Sequence, residues 1–254
     1  MNLRFDLAYD GAPFRGYARQ PDVRTVQGDL EQALSRILSA DVQINCAGRT
    51  DAGVHALGQT INIPNVPEMV DPQRLMSSLN TICGPSIAVH RVSEVPDDWH
   101  ARFSARSRTY VYALLEGEVP DPFLSGTTWH HPVPLDIAAM NEAAGHLLGE
   151  HDFISFGRVP EPDAPSVRTL FELRVHRTDR IVQVRARANA FIQQMVRSLV
   201  GTLVKVGEGK GSPAEMPEVL QARDRVVAGQ VAPPHGLCLV AVEYDEGWSS
   251  PEAV

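Results

Sequence analysis

The stretch Cys46-Ala47-Gly48-Arg49-Thr50-Asp51-Ala52-Gly53-Val54-His55 sets one carboxylate, Asp51, between two glycines, with a guanidinium two residues before it. Glycine has no Cβ, so it allows backbone conformations and close ligand approach that other residues resist. The fixed charge of Arg49 can hold Asp51 ionised or grip an anionic substrate. A carboxylate offered on a tight loop beside an arginine suits nucleophilic or general-base chemistry. The same string also suits a surface turn in which Asp51 caps the loop and Arg49 pairs with it. His55 follows Asp51 by four, yet no second ligand stands near it, so it reads as a histidine that packs the loop.

A second group of candidates comes from charge. Arg102, Arg106 and Arg108 make a dense basic stretch, suited to phosphate contacts or to an ordinary solvated face. The net charge of -8 argues against a broad polyanion-binding surface, so any nucleic acid should meet a restricted arginine-lined face. Apart from Lys205 and Lys210 every basic residue is arginine, whose planar fork matches phosphate. Cys46, Cys83 and Cys238 lie far apart, with neither metal nor redox spacing. No apolar run reaches the ~18 residues of a membrane span, and Met1-Asn2-Leu3-Arg4-Phe5 enters a strand pattern without a secretory apolar core. A reducing cytoplasm is the expected setting.

Around these residues the pattern predicts an α+β chain. Leu3, Phe5, Leu7 and Tyr9 alternate with polar or small residues as a half-buried strand. Thr25 precedes a helical stripe of Val26, Leu30, Ala33, Leu34, Ile37 and Leu38. Residues 42–45 and 59–63 alternate again, Asp71-Pro72 opens a helix over 72–79, and 87–92 is a further strand. That order matches a split βαβ unit. Residues 107–115 form a strand with Arg108, Tyr110, Tyr112 and Leu114 on one face. A helix is expected over 135–148 and an exposed loop over 159–165. Paired strands follow over 170–175 and 182–188, then a helix over 191–206, a short helix after Ser212-Pro213, and a last strand over 237–244. The element order of the first half repeats in the second. We therefore expect an N-terminal half, 1–105, bearing the Asp51 loop, and a C-terminal half, 106–254, completing a ligand cleft.

The string Gly-Arg-Thr-Asp-Ala-Gly-Val-His at 48–55 resembles the catalytic signature of the tRNA pseudouridine synthase A family. Collinear stretches resemble it too: Ala8-Tyr9-Asp10-Gly11, Phe14-Arg15-Gly16, Thr25-Val26-Gln27, His100-Ala101-Arg102-Phe103-Ser104-Ala105, Arg108-Thr109-Tyr110-Val111-Tyr112, Asp152-Phe153-Ile154-Ser155-Phe156, Ala188-Asn189-Ala190-Phe191, Met195-Val196-Arg197 and Gly236-Leu237. The resemblance implies the pseudouridine synthase fold, two ferredoxin-like α+β halves sharing an extended, mainly antiparallel sheet with a central active-site cleft. It implies isomerisation of uridine to pseudouridine in the anticodon stem-loop of tRNAs, by a homodimer that needs no metal or other cofactor. Under it Asp51 is the nucleophile and Arg49 sits near the flipped nucleotide. Tyr110 stacks on the target base or assists proton transfer, Arg197 pairs with Asp51, and Leu237 packs against the uracil. The chain departs from the family pattern at Tyr17, at Gln193-Gln194 and in the stretch 79–87. A non-catalytic tRNA-folding protein is the first rival reading. A hydrolase using Asp51 with Asp10 is the second, since glycoside hydrolysis wants two opposed carboxylates.

Overall fold

The first nine residues show where the sequence pattern underestimates burial. The computed structural model, which describes residues 1–161 and 164–245, has β1 (Asn2–Tyr9) buried on both faces rather than one. The second face is roofed by Trp99 and Tyr244, with the Arg4 guanidinium 5.7 Å and 5.0 Å from their rings. Arg4 in turn donates to Asp6 through Nε (2.9 Å) and Nη2 (2.7 Å), and Thr60 donates to the same carboxylate. Polar residues in an alternating strand mark a solvated face only when nothing covers it; here Arg4 and Asp6 pair beneath aromatic rings, and Asn2 donates to the carbonyls of Pro96 and Trp99.

The chain divides into two units: Met1–Arg108 with the segment from Cys238 onward, and Thr109–Leu237. In the first, β1 is followed by α1 (Val26–Leu38), β2 (Asn45–Cys46), β3 (His55–Ile63), α2 (Pro72–Cys83) and β4 (Ile87–Val95). Thr25 caps α1 by accepting from the Gly28 amide, and Asp71 caps α2 by accepting from Gln73. Helix α2 runs to Cys83, past the expected end at Leu79, because Leu75, Leu79 and Cys83 continue one buried stripe. The strands lie in the order β4-β1-β3, with β2 on the far edge of β3, all antiparallel. This is the split βαβ order expected from the element sequence.

The second unit holds most of β5 (Ser107–Glu116), then β6 (Trp129–His131), α3 (Ile137–Gly145), β7 (Gly149–Asp152), β8 (Val167–Thr178), β9 (Ile181–Ala188), α4 (Met195–Gly207) and α5 (Met216–Ala222). Strands β8 and β9 pair as expected, each longer than its apolar run. Helix α3 is shorter than the expected 135–148: it ends at Gly145, and a turn leads into β7, which pairs antiparallel with β8. Helix α4 starts at Met195, not 191, because Gln194 takes a left-handed conformation (φ 63°). Of the loop expected over 159–165, Pro162 and Asp163 lie outside the described residues. The last strand, β10 (Leu237–Glu243), runs parallel to β3 through Cys238 with His55 and Leu239 with Ala56. It is thereby counted with the first unit although it comes last in the chain.

Two glycines of the second unit give opposite forecasts. A Cβ on Gly236 would lie 2.6 Å from the ring of the fully buried Tyr112, whereas one on Gly145, the last residue of α3, meets nothing within 4 Å. Gly236→Ala should lower the unfolding free energy by about 1–3 kcal/mol. Gly145→Ala should be neutral or stabilise by up to about 1 kcal/mol. Denaturant midpoints of the two variants check both.

Candidate active site

The Asp51 loop, residues 47–54, leaves β2 and returns to the start of β3. Strand β2 pairs with β3 at Ile61 and Asn62, near the far end of that strand. The segment must therefore travel back along β3 to reach His55. It is fastened along this path chiefly by its backbone. The Ala47 amide donates to Thr60 O at 2.9 Å. The Gly48 carbonyl accepts from the fully buried Gln59 side chain at 2.8 Å. The Thr50 carbonyl accepts the Tyr17 amide at 3.0 Å, while the Thr50 and Tyr9 hydroxyls share a hydrogen bond at 2.8 Å. The Val54 amide closes a turn on the Asp51 carbonyl at 3.1 Å, with Gly53 at φ +79°. Gly11 runs against the loop so closely that a Cβ there would sit 2.1 Å from Val54 O. His55 ends the loop, its Nδ1 3.1 Å from both the Gly11 amide and an Asp10 carboxylate oxygen.

On this frame Asp51 is half-exposed and Arg49 is exposed. Thr50 and Val54 beside them are buried. The loop thus fixes its flanks while the acid stays half-exposed and the arginine exposed, an arrangement that suits a reacting carboxylate. Cys46, at the foot of the loop, reports on the charge around it. Burial pushes its thiol above the ordinary range, and Arg49, a hydrogen bond to Tyr17, Arg102 and Arg108 pull it back. Three of the arginines singled out from the sequence are therefore close enough to act on one thiol.

They differ in what they do there. Arg102 is exposed and stands over the exposed Phe103 ring, 5.6 Å from its centre. Arg106 is exposed and makes a two-toothed ion pair with Asp245, both bonds at 2.8 Å. Arg108 is buried, donating to the carbonyls of Ala47, Arg102 and Ala105. The remaining candidates belong to the second unit. Tyr110 is buried, edge-on to Phe191 with ring centres 5.3 Å apart. Arg197, in the first turn of α4, donates through Nε to Ala232 O at 2.7 Å, and its own carbonyl accepts the Ala232 amide. Tyr112 donates to Pro233 O at 2.9 Å, and the Arg197 charge opposes the rise that burial imposes on its hydroxyl. The segment pinned by Arg197 and Tyr112 turns through Pro234–Gly236 into Leu237, which is buried.

Pattern reading overlooked the supports: Gln59, Tyr17, Gly11 and Tyr112. Gln59 carried the clearest signal, since a large amide between Gly58 and Thr60 in a strand that also holds Ile61 and Ile63 needs a buried partner. Tyr17, one of the departures from the family pattern, lies directly under the loop and is fully buried. Among the described residues no group of three or more His, Cys, Asp or Glu is arranged to hold a metal ion.

With this geometry in hand, comparison with known proteins is informative. The sequence profile described as tRNA pseudouridine synthase matches residues 7–104 and 143–245. A Brevibacillus brevis protein named tRNA pseudouridine synthase A is 44% identical over 245 residues, 95% of this chain and 99% of its own length. Namesakes from Mesorhizobium japonicum (41% over 95% of this chain and 98% of theirs) and Bordetella petrii (44% over 95% and 91%) are similar throughout. Among solved structures, that titled a Cbf5-Nop10-Gar1 complex aligns over 80% of this chain and 54% of its own at 12% identity and a TM-score of 0.35, too loose to bear on the argument. The chain belongs to the tRNA pseudouridine synthase family, a family of isomerases.

Proposed function

We propose that this protein isomerises uridine to pseudouridine in the anticodon stem-loop of tRNA, with Asp51 as the nucleophile. The observation that carries the reading is the backbone-clamped loop that turns Asp51 and Arg49 outward, in a chain similar over 95% of its length to proteins named for this activity. The reaction breaks the bond between uracil N1 and ribose C1′, turns the base over and joins C5 to C1′. The C5 hydrogen leaves to solvent and N1 gains a proton, so atoms balance without a donor or an oxidant. A uridine inside a stem must first leave its stack. Asp51 then attacks the ribose or the base of the everted uridine, which lets the N1–C1′ bond break, and Arg49 holds the nucleotide.

In this reading residues 1–105 carry the catalytic loop, and residues 106–254 bring Tyr110, Arg197 and Leu237 to the same uridine. Arg197 keeps Asp51 charged, Tyr110 stacks on the base, and Leu237 packs against it. The exposed Arg102 and Arg106 meet phosphates, with Asp245 giving way at Arg106 when RNA binds; Arg108 is the third basic residue of that stretch. Likeness to the family makes the working form a cytoplasmic homodimer with one tRNA contacting both subunits. Among the described residues no helix is long and apolar enough to cross a membrane.

Release of tritium from C5-labelled tRNA reads the reaction directly. Asp51→Asn should bind tRNA with wild-type affinity while the rate falls on the order of 10⁴-fold or more, the scale of losing a nucleophile. Measurable turnover by that variant would remove Asp51 from the chemistry, and a tRNA-folding activity that survived it would favour a non-catalytic role. Tyr110→Phe should keep most of the activity, whereas Tyr110→Leu should lose roughly 10- to 100-fold, the value of one base stacked on an aromatic ring. A comparable loss in Tyr110→Phe would assign the hydroxyl to proton transfer instead.

A further inference from the structure

Arg108 is a buried cation whose guanidinium is turned to backbone. Its Nε and Nη2 lie 3.2 Å and 3.0 Å from the Ala47 carbonyl, Nη1 lies 3.2 Å from Ala105 O, and Nη2 lies 2.6 Å from Arg102 O. Ala47 follows Cys46, the last residue of β2, and begins the Asp51 loop; its amide is already committed to Thr60 O. The peptide groups on either side of Ala47 are therefore gripped by β3 and by Arg108. The other two carbonyls belong to the turn that exposes Arg102 and Phe103. That turn is tightened further by the Ser104 amide on His100 O and by Ser104 Oγ accepting the His100 amide. One rigid five-donor fork thus binds the foot of the catalytic loop to the turn that carries the exposed Arg102. A phosphate competing for these N–H groups would have to displace those carbonyls.

We propose that Arg108 is a positioning residue: it sets the foot of the Asp51 loop in register with the Arg102–Phe103 turn, so that RNA held at the turn presents its uridine to Asp51. The role is distinct from phosphate contact, and it rests on the reading in which Asp51 performs the reaction. Removing the fork takes a donor from the buried Ala47 carbonyl at one end and from the part-buried carbonyls of Arg102 and Ala105 at the other. Lysine restores the charge but is a point donor that cannot span three carbonyls.

The test uses the full chain with Arg108→Gln and Arg108→Lys, read by hydrogen exchange and by single-turnover tritium release at saturating tRNA. Peptides covering 46–54 and 100–106 should exchange faster in Arg108→Gln, less so in Arg108→Lys, while those of β1 and β4 exchange as in the wild type. The single-turnover rate should fall about tenfold or more, as misplacement of a reacting group predicts. Affinity for tRNA and its dependence on salt should hold. Weaker binding with a salt slope reduced by about one, at an unchanged single-turnover rate, would make Arg108 a phosphate contact and overturn the proposal. Exchange that rises equally everywhere, or not at all at 46–54, would overturn it as well. If the Gln variant does not accumulate, the Lys variant carries the same comparison. Selective loosening of 46–54 in a protein whose wild type makes no pseudouridine would leave the brace standing and remove the assigned activity.

Discussion

A short loop is ordinarily the least constrained part of a fold, yet here the backbone of the carboxylate-bearing loop is tied at several points to the strands and segments around it. The Val54 carbonyl fills the space that a Cβ on residue 11 would need, Tyr17 and Tyr9 grip Thr50 from below, and Gln59 reaches across to Gly48. These contacts act on main-chain atoms and on the small side chain of Thr50, leaving Asp51 and Arg49 outward. In the proposed reaction a carboxylate gains from such a frame, because the entropy of holding it in place is lost on folding rather than during the reaction. The glycines follow from the same constraint. Gly11 is needed for close approach, and Gly53 for a positive φ where the chain turns into β3.

The outline of the fold was readable because it rests on local rules. Thr25 and Asp71 cap the helices they were expected to cap, and the order of elements in the first unit leads to the split βαβ sheet. The differences arise where distant residues decide. The polar face of β1 is covered by Trp99 and Tyr244, which lie 90 residues or more further along the chain, so alternation alone described it as solvated. The tail of the helix expected over 135–148 is cut short by a turn after Gly145, because the chain must enter β7 at Gly149, where β8 offers it a partner. Strand β10 joins the first unit because β3 leaves an edge open at His55 and Ala56, beyond the reach of the two-residue β2.

The candidate site shows the same division. Asp51 and Arg49 stand out as candidates by type and spacing, but the same string suits a surface turn, and likeness to a family signature is what favours them. Arg102, Arg106 and Arg108 look alike as letters but live in three different settings: open to solvent, shared with Asp245, and buried among carbonyls. Only burial and partners separate a cation that can meet RNA from one that organises the protein. Tyr112 was hidden for a related reason. Its contribution lies in the backbone it holds at Pro233 and in the space it denies to residue 236, neither of which leaves a motif.

The most direct test of the account is to incubate an unmodified tRNA transcript with the purified protein and locate pseudouridine nucleotide by nucleotide. The account predicts that C-linked uracil forms at uridines of the anticodon stem-loop, with every base retained in the chain. Transcripts that emerge unchanged, or that lose uracil as the free base, would contradict it.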